Sequence, residues 1–360
     1  MKILVIQQKM IGDVLISSII CNNLRKAYPD AQIDYLVNSF TIPVIINNPN
    51  ISNIIQFTNE HKKSKLAFLK FIQQIRKEKY NIVLDAYGKL ESCLITYFSG
   101  APQRIGYGEK DKFFAYNHKV AHPNKKETYQ GLAIERRLNL FSFLMQKHQI
   151  DSYPHIFLSE KEIAEGAEFF KSQNLDIENT KIIMISVLGS EDNKTYPIAY
   201  LIELLNSIAA HYKEVVILFN YMPSQKLKME NIVSQCNSEA KSRINLEING
   251  QDLRSLIKIL YHCDLLIGND GGAVNIAKAL NKPTFTLFYA WIDKDSWSIF
   301  EDGKLHKAVH LKDFEPENFK NISRKKLKKE YQQFYQKLKP DLFQNEMIHF
   351  IKNHIENSHV

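Results

Sequence analysis

Cysteine is scarce in this 360-residue chain: Cys21, Cys93, Cys236 and Cys263 stand far apart, without a CxxC pair or a histidine at zinc spacing. That spacing argues against a disulfide framework and against a structural metal. No apolar run reaches the roughly 18 residues that a membrane-spanning helix needs. The amino terminus opens on a strand-like run without a signal-peptide pattern, so a cytoplasmic location is expected. Charge of one sign is also modest. Lys and Arg number 47 against 39 Asp and Glu, a net +8, which suits a phosphate-bearing ligand or an anionic membrane surface and falls short of a nucleic-acid binder. What is present is apolar material: 44% of the residues are hydrophobic and 24% charged. That composition excludes a disordered or fibrous chain, and the length suits about two domains.

Strand-like and helix-like segments alternate. Lys2 to Gln7, Gln32 to Val37, Asn53 to Phe57 and Asn81 to Asp85 read as strands. Asp13 to Tyr28 and Lys63 to Lys79 read as helices, the latter with Leu66, Leu69, Ile72 and Ile75 on one stripe. The pattern weakens over residues 101–126, and a helix from Glu127 to Gln146 closes the half. After a linker near Pro154 the alternation resumes, with strands at Lys181 to Val187, Glu214 to Phe219, Arg243 to Ile248, Asp264 to Gly268 and Thr284 to Phe288. Helical patterns at about Pro197 to Tyr212, Ser224 to Cys236, Asp252 to His262 and Gly272 to Leu280 lie between them. The organisation is therefore α/β: an N-terminal domain at 1–158, a second at 159–322, each with a parallel sheet, and a helical tail at 323–360. In that tail a helix from Asp341 to about Asn357 sets Phe343, Met347, Ile351 and Ile355 at spacing four, a stripe that must bury against something.

In open parallel sheets, ligands bind beyond the carboxyl ends of the strands. Three loops qualify. The first, from Gln7 through Lys9, Met10 and Gly12 to Asp13, lacks the glycines of a dinucleotide fingerprint. Asp13 is either a helix cap or a carboxylate poised to accept a substrate proton. The second, Asn269-Asp270-Gly271-Gly272 running into a helix through Asn275, is either a plain glycine turn or a phosphate cradle at a helix N-terminus. In the third, Gly189 to Lys194, Ser190 and Lys194 are either solvated polar residues or ligands of phosphate oxygens. Together the three suit transfer from a diphosphate-activated donor to a hydroxyl.

The run Met10-Ile11-Gly12-Asp13-Val14-Leu15, with Leu24 to Ala31 and Tyr35-Leu36-Val37, resembles the opening of the ADP-heptose:lipopolysaccharide heptosyltransferases, glycosyltransferase family 9. Asn269 to Gly272 with Ala277 to Leu280 and Pro283 resembles that family's donor motif, and Asn193 to Pro197 its Lys-aromatic-Pro step. The resemblance, from residue 1 to about 290, implies a GT-B fold: two Rossmann-like domains facing a cleft, with a C-terminal helix returning to the first. It implies inverting transfer from ADP-heptose to lipopolysaccharide core, without a metal or other cofactor, by an enzyme peripheral at the inner face of the cytoplasmic membrane. Asp13 is then the general base, and Lys9, Met10 and Gly12 form the acceptor-side loop. Gly189, Ser190, Lys194, Asp270, Gly271, Gly272 and Asn275 form the donor site, with Lys194 also catalytic. Two positions depart from the family: Gly271 and Asn275 stand where Thr and His are usual. No carboxylate follows the Glu214 to Phe219 strand to meet a ribose. These departures keep open a transferase for another nucleotide sugar, or a sugar-nucleotide-binding protein without activity. The triplet Asp293-Lys294-Asp295 resembles a metal-binding DxD but lies past the donor motif and is read as coincidental. The lysines at 62, 63, 65, 70, 77 and 79, with Arg76, and the run Arg324 to Lys329 are either a solvated charged face or a surface suited to a lipid-linked saccharide acceptor in an anionic leaflet.

Overall fold

A computed structural model describes residues 1–108, 114–145 and 147–356. Gln146 and Asn357, the expected ends of two helices, lie outside the described residues. The chain divides into two compact units, Met1–Phe157 and Leu158–Val360.

The first unit is built on a six-stranded, all-parallel sheet: β1 (Lys2–Ile6), β2 (Gln32–Asn38), β3 (Asn53–Phe57), β4 (Ile82–Asp85), β5 (Gln103–Tyr107) and β6 (His118–Val120), in the order β3-β2-β1-β4-β5-β6. This is the doubly wound dinucleotide-fold order, whose direction of winding reverses between β1 and β4. Covered on both faces, the central strands are unbroken apolar runs: Ile3, Leu4, Val5 and Ile6 have no solvent exposure. The strand β5 and the edge strand β6 are polar and short, and for that reason do not stand out in the sequence. Gly106 of β5 has a packing reason, since a Cβ there would meet the Tyr116 ring at 2.4 Å.

In the helix Lys65–Lys77 the buried face is Phe71, Ile72 and Ile75. Leu66 and Leu69, expected on that stripe, are instead 63% and 56% exposed. The helix begins at Lys65, with Ser64 capping it by accepting from Ala67 N–H, and Phe68 and Phe71, rather than the two leucines, join Ile72 and Ile75 on the sheet core that contains Phe57 and Val83.

The second unit repeats the plan with β7 (Lys181–Ser186), β8 (Val215–Asn220), β9 (Ile244–Asn245), β10 (Leu265–Asn269), β11 (Thr284–Leu287) and β12 (His306–Val309), all parallel, in the order β12-β11-β10-β7-β8-β9. Read from the other edge this is the same winding, and it reverses between β7 and β10. The strand β9 is shorter than its apolar pattern because Asn245 Oδ1 accepts from Glu247 and Ile248 N–H and turns the chain into a loop. A fork of two bonds, Arg254 Nε to Glu162 Oε1 at 2.6 Å and Nη2 to Oε2 at 2.9 Å, fastens the helix Glu160–Ser172 to the helix Leu253–His262. The pair holds the Glu162 carboxyl down at about 2.

The tail corrects one expectation. It belongs to the second unit and not to the first: the stripe Phe343, Met347, Ile351 and Ile355 is buried in the second unit's core. Phe285 of β11 stacks on Phe343 and meets Phe350 edge-on at 5.6 Å. Tyr212 Oη donates to Ile348 O at 2.7 Å, and Tyr196 Oη to Leu338 O at 2.6 Å. Without the tail these aromatic groups would face water.

Candidate active site

Both switch points carry loops singled out in the sequence. In the first unit, the loop after β1 enters the helix Ile11–Ala27. Met10 is the capping residue and makes no side-chain cap bond. Asp13 therefore stands in the first turn, where its charge suits the helix dipole, and is not the cap. Its Oδ1 accepts instead from Arg137 Nη2 at 2.7 Å. Arg137, from the helix Leu132–Phe141, also donates through Nε to Ser17 Oγ at 3.1 Å and through Nη1 to Ala133 O at 3.3 Å. Ser17 Oγ reaches Gln7 Oε1 at 3.5 Å, and Gln7 Nε2 donates to Lys9 O at 2.7 Å. The network runs from the loop backbone to the carboxylate and fixes its orientation. Sequence reading misses Arg137, because 124 residues separate it from Asp13 and only its place among apolar helical neighbours hints that it is buried.

Met10 is 55% exposed at the mouth of this loop. Beyond it, Lys62 feels the charge of Lys9, and desolvation followed by that repulsion lowers its pKa. Lys9 of the Asp13 loop thus has a second cation near it. Across the switch point, Asp85 at the end of β4 is fully buried, accepting from Tyr87 N–H, Gly88 N–H and Tyr116 Oη at 2.8–3.0 Å. Burial raises its pKa. Its role is to shape the loop after β4.

Arg137→Met is expected to lower stability by about 2–3 kcal/mol, because Asp13 and Ser17 lose a donor at a site where the Arg137 and Asp13 side chains are only 10% and 19% exposed. Urea unfolding measures this, and an unchanged midpoint would mean that water screens the pair.

In the second unit, the loops 188–195 after β7 and 270–272 after β10 stand side by side across the switch point. Asn269 joins them: its Nδ2 donates to Ser186 O and Val187 O at 3.0 and 2.8 Å, and its Oδ1 accepts from Tyr196 N–H at 2.7 Å. Two glycines permit the close approach. A Cβ on Gly268, whose φ is +132°, would strike Ser186 O at 2.4 Å, and one on Gly189 would strike Lys194 O at 2.3 Å. Gly271 is different. Its backbone is extended and a Cβ would meet nothing within 4 Å, so the space above the N-terminus of the helix Gly272–Ala279 is open to a ligand. Asn275, where His is usual, turns its amide onto Gly271 O at 3.2 Å.

Lys194 Nζ lies 3.1 Å from Ser190 Oγ and 3.1 Å from Glu191 Oε1. Asp270 is partly buried, and desolvation pushes its pKa up to about 6 against the pull of Lys278 and Lys194. Beneath it, Lys278 is buried, donates to Ile299 O, and is lowered to about 8 by desolvation, with Glu301 and Asp270 opposing. Ser190, Lys194, Asp270, Gly271, Gly272 and Asn275 are thus brought around one strand-end crevice. The loop after β8 has no carboxylate, but Glu247 comes near from the end of β9 and pairs with Lys226 at 3.0 Å. In the Asp293-Lys294-Asp295 triplet, Lys294 bonds Asp313 at 2.8 Å and Asp293 accepts from Ser296. No group of three metal-ligating side chains occurs among the described residues.

Residues 68–298 match the profile of glycosyltransferase family 9 (heptosyltransferase). Over 293 residues the chain is 27% identical to lipopolysaccharide heptosyltransferase 1 of Campylobacter coli, covering 81% of this chain and 84% of that protein. It is 22% identical over 296 residues to lipopolysaccharide heptosyltransferase 2 of Escherichia coli K12, covering 80% and 82%. Among solved structures, a family 9 glycosyltransferase from Veillonella parvula superposes with a TM-score of 0.70 at 17% identity, covering 93% of this chain and 97% of that one. E. coli heptosyltransferase WaaC with ADP gives 0.70 at 16%, covering 98% and 100%. At such identities the structures speak for the fold, the GT-B pairing of two Rossmann-like domains in one chain. With the profile spanning more than half of its length, the chain belongs to glycosyltransferase family 9, the heptosyltransferases, and is a glycosyltransferase.

Proposed function

We propose that this enzyme moves a heptose, with inversion, from ADP-heptose to a hydroxyl of lipopolysaccharide core. The observation that carries the reading is the crevice in the second unit, where Lys194, Asp270 and the open helix start at Gly271-Gly272 surround the end of β10. A diphosphate in such a crevice meets an ammonium group and free backbone N–H groups together.

In this reading the Asp13 carboxylate takes the proton of the acceptor hydroxyl as its oxygen attacks the anomeric carbon. The new carbon–oxygen bond forms as the bond to the diphosphate breaks, and ADP leaves with the electron pair. Lys194 and the helix start balance the charge that gathers on the leaving group. Asp270 orients the donor. In this reading these charges suffice without a metal, and chelation is expected to leave the transfer rate unchanged. On the acceptor side, Leu66 and Leu69 stand exposed beside Lys62, Lys63, Lys65 and Lys70. Apolar tips within a basic field suit a lipid-linked acceptor at an anionic, cytoplasm-facing membrane surface.

Calorimetry with ADP, UDP and GDP tests the donor, and assay with ADP-heptose and lipid-linked core tests the transfer. ADP is expected to bind at least about tenfold more tightly than UDP or GDP, a difference of about 1.4 kcal/mol. A UDP or GDP preference rejects the heptose donor. Donor binding without product from any acceptor favours a binding protein, the reading that the Gly271 and Asn275 departures keep open.

A further inference from the structure

The run Arg324 to Lys329 reads from sequence as part of a membrane- or acceptor-facing charge. In the structure it is a short helix of the second unit, and two of its side chains do something specific. Arg324 Cζ lies 5.1 Å and Lys328 Nζ 4.7 Å from the centre of the Trp291 ring, and Lys194 Nζ lies 5.7 Å from the same centre. Trp291 itself is 6% exposed. Its Nε1 donates to Asn193 O at 3.2 Å, tying the ring to the Lys194 loop. Tyr289 lies 4.4 Å from Trp291 centre to centre, and its hydroxyl feels the charges of Asp270 and Arg324.

Three cations around one indole repel one another, and cation–π attraction at exposed sites offsets only part of that. Among the described residues, the one carboxylate within 4 Å of any of the three is Glu191, at 3.1 Å from Lys194 and 3.5 Å from Lys328. Arg324 is exposed and forms no ion pair among the described residues. These three positive charges face Glu191 and, farther off, Asp270, so the cluster keeps a net positive charge. A group with several negative oxygens neutralises it, and a diphosphate is such a group. Arg324 adds a planar fork of donors, the geometry that grips two phosphate oxygens at once.

We propose that Arg324 and Lys328, gathered with Lys194 on the indole of Trp291, complete the subsite that binds the diphosphate of the nucleotide-sugar donor. The proposal rests on the reading of the second unit as the donor side, and is independent of which nucleoside or sugar the donor carries. It also gives the Asn275 position a physical context: charge that an imidazolium would bring at the helix start comes instead from the basic helix. Lys325 and Lys329, on the same helix, are exposed and lie over no aromatic ring among the described residues.

The test uses the full chain and its R324Q, K328Q and R324Q/K328Q variants, with K325Q/K329Q as the charge-matched control. Calorimetry is run at low salt with inorganic pyrophosphate, ADP, UDP, GDP and AMP. In a W297F background, Trp291 fluorescence follows the same titrations, because an anion that draws the cations off the indole changes its emission. Each single variant is expected to weaken pyrophosphate and nucleoside diphosphates by about tenfold and the double variant by more. AMP is expected to lose less, the control to change less than about twofold, and W297F to show a saturable Trp291 response. Equal affinity of wild type and double variant for pyrophosphate and every diphosphate overturns the proposal. So does an equal loss in the control, loss of acceptor affinity alone, or failure of the wild type to bind pyrophosphate and any diphosphate. A UDP or GDP preference that the double variant weakens leaves this subsite standing while rejecting ADP-heptose; an ADP preference that the double variant keeps does the reverse.

Discussion

Asp13→Asn is expected to lower kcat by about 10²–10⁴, the range general-base catalysis supplies, while the affinity for ADP changes less than about threefold. The substitution keeps the shape and a hydrogen-bond acceptor for Arg137 Nη2, so the helix start keeps its geometry. What it removes is the capacity to take a proton. The groups proposed to hold the donor, Lys194, Asp270 and Gly272, belong to the other unit, which is why binding of ADP and turnover should part company. Steady-state assay together with calorimetry reads both quantities, and a D13N enzyme that turns over at the wild-type rate would end the role of this carboxylate.

Lys194→Ala carries the second large effect. A preorganised cation at a leaving diphosphate contributes more in the transition state than in the ground state, so kcat/KM should fall by about 10²–10³. Lys194→Arg should recover part of the loss. Folding stability should change by less than about 1 kcal/mol, because Glu191, 48% exposed, stays solvated when its partner is removed. That contrast separates a chemical role from a structural one. If the alanine variant keeps kcat/KM within a factor of about three, the diphosphate is bound without this lysine.

Of the architecture, the sequence makes the central strands legible, because a sheet covered on both faces demands uninterrupted apolar runs such as Lys2–Ile6 and Lys181–Ser186. The edge strands β6 and β12, three and four residues long and partly polar, carry no such signature. The candidate site is legible to the same degree. Gly12-Asp13 and Asn269 to Gly272 announce themselves because each follows a buried strand and opens a helix, and Gly268 and Gly189 lie where any side chain would collide with a carbonyl.

By itself, then, the sequence determined the α/β class, the position of the strand-end loops and the residue types able to bind a diphosphate or take a proton, since these depend on local periodicity and turn chemistry. Only the tertiary structure decided which residues those loops meet. Arg137 reaches Asp13 across 124 residues. The tail stripe chose the Phe285 face of the second unit, and the basic run settled two of its cations on Trp291. A periodic stripe or a charge run specifies that a face must be covered or neutralised; the partner that does so is set by long-range packing.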